Sequence, residues 1–189
     1  MSFASISSGL AAARLCGSCC EIPFHIEGMR SPYLLTGFMR KAIHEFKYGG
    51  VFSLAPVLGK ILADYLNESR MPADVVVSVP LHQSRRKERG YDQAELLAES
   101  LTKHTGLPLG RGWLVRQRPT LPQVRTASAM ERWSNVRAAF APGPRVERSR
   151  TVLLVDDVCT TGATLEACAM ALQEAGVGHV WGLTVAREP

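Results

Sequence analysis

The sequence predicts an α/β protein with a mostly parallel sheet and helices on both faces. Segments typical of strands alternate with segments of helical periodicity along most of its 189 residues. Residues 151–155 form an uncharged apolar run, which is typical of a strand buried on both faces of a parallel sheet. A turn, a helix and a second strand follow within ~35 residues and complete a βαβ unit.

Composition narrows the class of protein. Apolar residues make up 46% and charged residues 21%, as in ordinary globular chains rather than disordered ones. No apolar run approaches the roughly 18–20 residues of a membrane span. The N-terminus lacks the cationic start of a secretory signal, and five cysteines do not suit a disulfide scaffold. We therefore expect a cytoplasmic protein of one domain with a small appendage and no membrane span.

The first half of the chain contains two predicted helices and a strand between them. Residues 51–66 carry a helical stripe of apolar side chains at positions 54, 57, 58, 61, 62 and 65. Residues 74–80 are short, rich in valine and end at a proline, which indicates a buried strand. Asp92, with Glu95 three residues later, predicts the start of the next helix, and Gly106 predicts its end.

The second half begins with a short predicted strand at 113–116 and an aperiodic, exposed loop at 117–127. Ser128 and Glu131 repeat the capping spacing and predict another helix. After the 151–155 strand, a helix is predicted to end near Gly176, and residues 179–186 form the last predicted strand. The apolar face of that helix contains Leu165, Cys168, Ala169 and Leu172.

Positive charge is concentrated in two segments of this chain, whose net charge is +5. Residues 110–150 contain nine arginines and no lysine, and residues 82–90 form a second basic cluster. One interpretation is a solvated surface. The other is anion binding, because arginine is suited to planar, bidentate recognition of phosphate.

The loop at 156–164 follows the most apolar strand, where parallel sheets bind ligands. Asp156 and Asp157 would repel each other unless a cation or hydroxyl groups lie against them. The next residues stand at a helix N-terminus, which favours anions, and Gly162 lets the backbone approach a ligand closely. The loop thus suits a ribose 5-phosphate. The alternative is an Asp-capped turn with surface threonines.

The string VLLVDDVCTTGAT closely resembles the 13-residue signature for phosphoribosyl pyrophosphate (PRPP) in type I phosphoribosyltransferases. The resemblance implies that Asp156 and Asp157 bind the ribose hydroxyls, and that Mg²⁺ binds pyrophosphate and ribose oxygens. The implied 5′-phosphate contacts are Thr160, Thr161, Gly162, Ala163 and Thr164. It also implies a small N-terminal hood at residues 1–45 and a phosphoribosyltransferase-like domain at 46–189.

The same resemblance implies a pyrophosphate site after the 74–80 strand. The implied contacts are Val79, Pro80, Leu81, His82, Arg85 and Arg89, with Arg86 close by. The arginines are either pyrophosphate contacts or a solvated turn, and His82 is either a base or a hydrogen-bonding bystander. Type I enzymes also close a mobile loop over the site, which here corresponds to 117–127, and Arg118 and Arg125 are the candidates to reach the leaving group.

Further blocks resemble the ComF/GntX group of competence-associated proteins. They are FKYGG at 46–50, the P-L-H-x-x-R-x-x-R-G-Y-D-Q run at 80–93, Thr120 with Gln123, Glu131 with Arg132, and N-V-R-x-A-F at 135–140. The resemblance extends from about Arg14 to Ala186. It implies a role in DNA uptake and natural transformation, and a competence helicase-type partner.

ComF proteins usually carry an N-terminal zinc finger, and Cys16 with Cys19 form half of such a site. No second C-x₂-C precedes them in this sequence, and His25 is the nearby alternative ligand. Four interpretations stay open: reduced thiols without zinc, a degenerate site, a missing first half, or a metal shared between two chains.

Three functions remain in competition. The first is Mg²⁺-dependent transfer of a phosphoribosyl group from PRPP to an unknown acceptor, and purine or pyrimidine salvage is a variant of it. The second is binding of single-stranded DNA by the arginine-rich surface, with Trp113 and Trp133 as candidate stacking residues, although a core position is favoured for each. The third is a non-catalytic PRPP sensor. A homodimer is compatible with all three.

Overall fold

The computed structural model describes residues 25–117 and 139–189. These residues form seven strands and five α-helices. The strands are β1 (Gly28–Arg30), β2 (Tyr33–Leu34), β3 (Val75–Ser78), β4 (Leu114–Arg116), β5 (Phe140–Pro142), β6 (Thr151–Cys159) and β7 (His179–Arg187). The helices are α1 (Gly37–Tyr48), α2 (Ala55–Ser69), α3 (Gln83–Arg89), α4 (Gln93–Thr105) and α5 (Ala163–Glu174), with a 3₁₀ turn at Phe52–Leu54.

The main sheet is parallel throughout. Its order is β1-β7-β6-β3, and β2 also pairs with β7. In the central pair, Thr151 is opposite His179 and Cys159 is opposite Arg187. β4 and β5 form a separate antiparallel pair. The predicted α/β class with a mostly parallel sheet is therefore confirmed.

Helices cover both faces of the sheet because each face of β6 is apolar. Leu153 and Val155 pack with the apolar side chains of α1, α2 and α4, including the fully buried Phe46. Val152 and Leu154 pack on the opposite face, against α5 and the β4–β5 pair. Trp113 belongs to this second core and is 5% exposed, so it is a core residue rather than a stacking surface.

Several predicted elements are confirmed. Asp92 caps α4, where its carboxylate accepts from the Glu95 amide, and Gly106 is the C-cap with a left-handed φ of 75°. The predicted apolar face of α5 is buried, although α5 ends at Glu174, before Gly176.

The stripe predicted at 51–66 is confirmed except at Val57. Residues 52–54 form a 3₁₀ turn and the α-helix begins at Ala55. Leu58 and Leu62 are buried, Leu54, Ile61 and Tyr65 are partly buried against the same core, and Val57 is exposed.

Two boundaries bear on the site. β6 continues four residues beyond the predicted end at 155, because Asp156, Val158 and Cys159 keep pairing with β7. The predicted division between residues 45 and 46 falls inside α1, and β1 and β2 before it pair with β7 of the main sheet.

Some predictions lie outside the described residues: the Cys16–Cys19 pair, the loop with Arg118 and Arg125, the helix from Ser128, and Trp133. Among the helices within 25–117 and 139–189, none is long and apolar enough to cross a membrane.

Candidate functional site

Two of the predicted site segments meet at the carboxyl-terminal edge of the sheet. β3 and β6 are parallel neighbours, with Ser78 opposite Val155. Beyond β3, the Val79 amide donates to the Val155 carbonyl at 3.0 Å. The predicted pyrophosphate segment at 79–82 therefore lies beside the 156–164 loop, as a parallel sheet requires.

The predicted phosphate-binding segment lies at the N-terminus of α5. Gly162 occupies the N-cap with φ 79°, and its carbonyl accepts from the Glu166 amide at 3.0 Å. The first amides of a helix have no intrahelical acceptor, so they point outward at its start. Thr161 Oγ1 accepts weakly from the Ala163 amide at 3.4 Å. A small cleft at this position is lined by Asp156, Val158, Cys159, Thr160, Gly162, Ala163, Thr164 and Leu165. This geometry suits an anionic group.

Asp156 lines that cleft and is partly buried. Its Oδ1 accepts from the Asp157 amide at 2.8 Å. Burial, followed by the charge of Asp157, raises the pKa of Asp156 to about 8. A cation or hydroxyl donors beside this carboxyl would stabilise its ionised form.

Asp157 projects to the other face of β6, since successive strand residues alternate. There its Oδ1 lies 2.9 Å from Nζ of Lys47 in α1, and both side chains are largely buried. Asp157 does not line the cleft beside Gly162. The structure thus places Asp156 with the phosphate loop and Asp157 with α1.

Cys159 lines the cleft, and Met29 lies beside Gly162. Cys159 Sγ is 4.0 Å from Met29 Sδ, and a Cβ on Gly162 would lie 2.6 Å from Met29 Cε. Burial, followed by the charge of Asp156, raises the pKa of the Cys159 thiol. Cys159 is therefore a neutral thiol at neutral pH.

Asp92 fixes the predicted pyrophosphate segment. It is 7% exposed, and its Oδ2 accepts from the Leu81 amide at 2.9 Å. Its Oδ1 accepts from the Glu95 amide at 3.2 Å, which caps α4. His82 caps α3: its Nδ1 lies 3.3 Å from the Ser84 amide and 2.7 Å from Ser84 Oγ. One buried carboxylate thus ties the turn after β3 to the start of α4.

The basic segment at 82–90 is the short helix α3 rather than a turn. Arg86 pairs with Glu95 at 3.1 Å. Arg89 donates to Gln93 Oε1 at 2.9 Å, and its guanidinium lies 4.8 Å from the centre of the Tyr48 ring. Arg85 and Lys87 are exposed, and neither pairs with an acid among the described residues, so both are open to an added anion.

The contacts that Lys47 and Asp92 make in the candidate site are not predicted by the sequence. Lys47 belongs to the FKYGG block, but nothing local indicates that it contacts Asp157. Asp92 was predicted only as a helix cap, and its second contact, with Leu81, depends on tertiary structure. Within the described part of the chain, no three His, Cys, Asp or Glu residues are grouped so that they could hold a metal ion.

Similarity to known proteins covers most of the chain, although no family model matches it. It is 34% identical over 151 residues to Competence protein F of Haemophilus influenzae. The aligned residues make up 75% of this chain and 65% of that protein. It is 30% identical over 175 residues to DNA utilization protein YhgH of Escherichia coli. These aligned residues make up 89% of this chain and 76% of that protein. The chain thus spans just under two thirds of the first relative.

Among solved structures, the chain is similar to a glutamine PRPP amidotransferase from B. subtilis in complex with ADP and GMP. The identity is 30%, the TM-score is 0.48, and the match covers 70% of this chain and 26% of that one.

Proposed function

The chain belongs to the family of Competence protein F and DNA utilization protein YhgH, and on that premise we propose that it binds PRPP in a role connected with DNA uptake. The observation that carries the proposal is the cleft at the end of β6. There a carboxylate, Asp156, adjoins the N-terminus of α5 at a left-handed glycine, Gly162. Acceptors for sugar hydroxyls and donors for a phosphate are thereby joined in one loop.

In this proposal each part of the loop binds a different part of PRPP. Asp156 accepts hydrogen bonds from the ribose hydroxyls, and Asp157, paired with Lys47 on the other face of β6, holds α1 against the strand. The backbone and hydroxyls of Thr160, Thr161, Gly162, Ala163 and Thr164 hold the 5′-phosphate. The segment Val79–His82, fixed through Leu81 by Asp92, borders the pyrophosphate, and Arg85 and Arg89 of α3 contact it.

In this proposal magnesium enters the site bound to PRPP. Burial and the charge of Asp157 raise the pKa of Asp156, and Lys47 offsets this only in part, so a cation beside Asp156 would stabilise its ionised form. Lys47 already neutralises Asp157, so the added charge is needed at Asp156. Mg²⁺ on the pyrophosphate and ribose oxygens would supply it and would stabilise the leaving group.

We further propose that the bound PRPP reacts. The bond between the anomeric carbon and the pyrophosphate oxygen breaks, and a nucleophile on the acceptor forms the new bond to that carbon. The arginines of α3 stabilise the departing pyrophosphate. The acceptor is left open, and a non-catalytic PRPP sensor is the competing proposal.

The biological role proposed for the chain is DNA uptake in natural transformation, in the cytoplasm, with a competence helicase-type partner. The support is the naming of its relatives for competence and for DNA utilization. Direct binding of single-stranded DNA is a second candidate function. It is favoured by α3, which presents four basic residues and one acidic residue.

The test is calorimetric titration of the full chain with PRPP, with and without Mg²⁺. We expect saturable binding that strengthens with Mg²⁺, and weaker binding of ribose 5-phosphate, which lacks the pyrophosphate. An acceptor panel with detection of released pyrophosphate then separates enzyme from sensor. Absence of PRPP binding by the folded protein would overturn the proposal.

A further inference from the structure

An exposed aromatic surface lies on α1 and the turn that follows it. Phe38 is 83% exposed, Tyr48 is 60% exposed, and Phe52 is 64% exposed. The buried residues of α1 are Ile43 and Phe46, so the core does not use the exposed aromatics. Exposed apolar surface of this kind marks an interaction site.

Positively charged and titratable side chains alternate with these aromatics. Phe38, Lys41, His44 and Tyr48 follow a spacing of three, three and four residues, which places them along one face of α1. The His44 ring lies 5.1 Å from the Tyr48 ring. The guanidinium of Arg89 lies 4.8 Å from the centre of the same ring.

The surface continues from α1 onto its neighbours. Phe52 lies 6.2 Å from the Tyr91 ring, two residues after Arg89, so Tyr48 and Phe52 both contact the 89–91 segment. Gln93 holds Arg89 in place through its Oε1 at 2.9 Å. We call the set Phe38, Lys41, His44, Tyr48, Phe52 and Arg89 the α1 platform.

The charge around the α1 platform indicates the charge of the ligand that would bind there. α1 contains three basic residues and one acidic residue, and α3 contains four basic residues and one acidic residue. Lys47 is paired with Asp157, Arg40 with Glu188 and Arg86 with Glu95. The remaining Lys41 and Glu45 balance on α1, so the basic excess lies on α3. The ligand that fits is a polyanion that also has flat apolar faces.

We propose that the α1 platform binds single-stranded nucleic acid. Bases stack on Tyr48 and Phe52, and the phosphates between them lie against Lys41 and Arg89. Aromatic side chains interspersed with cations bind single strands in this way, whereas a duplex keeps its base faces covered. The inference rests on the DNA part of the proposed function and gives it a location. Tyr48 directly follows Lys47, so the platform adjoins the site at Asp157.

The experiment measures fluorescence anisotropy of a labelled oligothymidine of about 20 nucleotides, longer than the roughly 4–16 that one binding fold covers. Tyr48→Ala and Phe52→Ala should each weaken binding by roughly 5- to 150-fold, the usual range for loss of one stacked base. Tyr48→Trp should restore it. Val57→Ala is the matched control, because Val57 is an equally exposed apolar residue on α2, outside the platform. A duplex of equal length should bind more weakly than the single strand.

Three results would overturn the inference. One is no binding by the unmodified protein at about 20 mM salt, where electrostatic binding is strong. Another is unchanged affinity in the folded Tyr48→Ala/Phe52→Ala double variant. The last is self-association that the double variant abolishes while DNA binding persists, which would assign the surface to a second copy of the chain.

A parallel PRPP titration keeps the two proposals distinct. Loss of DNA binding with intact PRPP binding in Phe52→Ala supports a platform that extends beyond the PRPP site. DNA binding by a protein that does not bind PRPP would refute the proposed function of the 156–164 loop and leave the platform standing.

Discussion

Lys47 Nζ lies 2.9 Å from Oδ1 of Asp157, and their side chains are only 23% and 9% exposed. The pair joins α1 to the central strand β6 at the point where the predicted ribose-binding carboxylates stand. A largely buried ion pair is costly to break on one side only, because the remaining charge stays desolvated. The same contact therefore affects stability and the shape of the site.

Lys47→Met should lower the free energy of unfolding by about 3 kcal/mol, because it leaves the Asp157 carboxylate without its partner. Adding Asp157→Asn should recover much of that loss, since the buried charge is then removed too. Urea denaturation of both variants measures the effect. Lys60→Met is the control: Lys60 pairs with Asp64 at 2.7 Å on an exposed face, and its loss should cost less than 1 kcal/mol, about the usual limit for surface pairs. Equal losses for Lys47→Met and Lys60→Met would contradict this account.

Asp156 should make the stability of the protein depend on pH. Its pKa is raised from 3.8 to about 8, so between those values the folded chain holds a proton that the unfolded chain has released. The free energy of unfolding therefore falls as pH rises through this window, by at most about 1.4 kcal/mol per pH unit. Asp156→Asn cannot titrate, so its stability relative to the unmodified protein should rise from pH 5 to pH 8. Parallel pH profiles for the two proteins would show that Asp156 ionises normally.

Gly162→Ala should weaken phosphate binding more than its effect on stability explains. An alanine held in the left-handed backbone conformation lowers stability by roughly 1–2 kcal/mol. At this position its Cβ would also lie 2.6 Å from Cε of Met29. Gly106→Ala is matched in φ, at 75°, but has open space around it and lies at the far end of α4. We expect thermal melts to show a loss for both variants and PRPP titration to show weaker binding only for Gly162→Ala. Equal PRPP affinity in both variants would remove Gly162 from the site.

The sequence predicted the sheet well because local signals are strong there. The uncharged run before Asp156 marks a strand buried on both faces, and the Asp92–Glu95 spacing marks a helix start. These patterns arise within a few residues, so no tertiary information is needed to interpret them. Val57 is the exception in the 51–66 stripe: it is exposed although its spacing matches the buried positions, because only tertiary packing decides how wide the buried face of a helix is.

The candidate site was only partly predictable, for a physical reason. The 156–164 loop is contiguous, so its residue types indicate a phosphate site directly. Lys47 with Asp157, and Asp92 with Leu81, are contacts between distant segments, and only the packing of α1 and α4 on the sheet creates them. The strand that continues through Cys159 also separates the two aspartates onto opposite faces, which a loop prediction at 156 did not anticipate.

The measurement that tests the central claim most directly is PRPP affinity, with Mg²⁺, of Asp156→Asn, Asp157→Asn and the double variant. Loss of the charged acceptor at Asp156 should cost about 1.5–3 kcal/mol, or roughly 10- to 150-fold in affinity, whereas Asp157→Asn, whose side chain faces Lys47, should cost less. Asp64→Asn, which removes an exposed carboxylate of α2, is the control, and circular dichroism checks that each variant is folded. We predict that Asp156→Asn and the double variant lose PRPP affinity by at least this factor while Asp64→Asn retains it. A folded double variant that binds PRPP as tightly as the unmodified protein would contradict the assignment of the site.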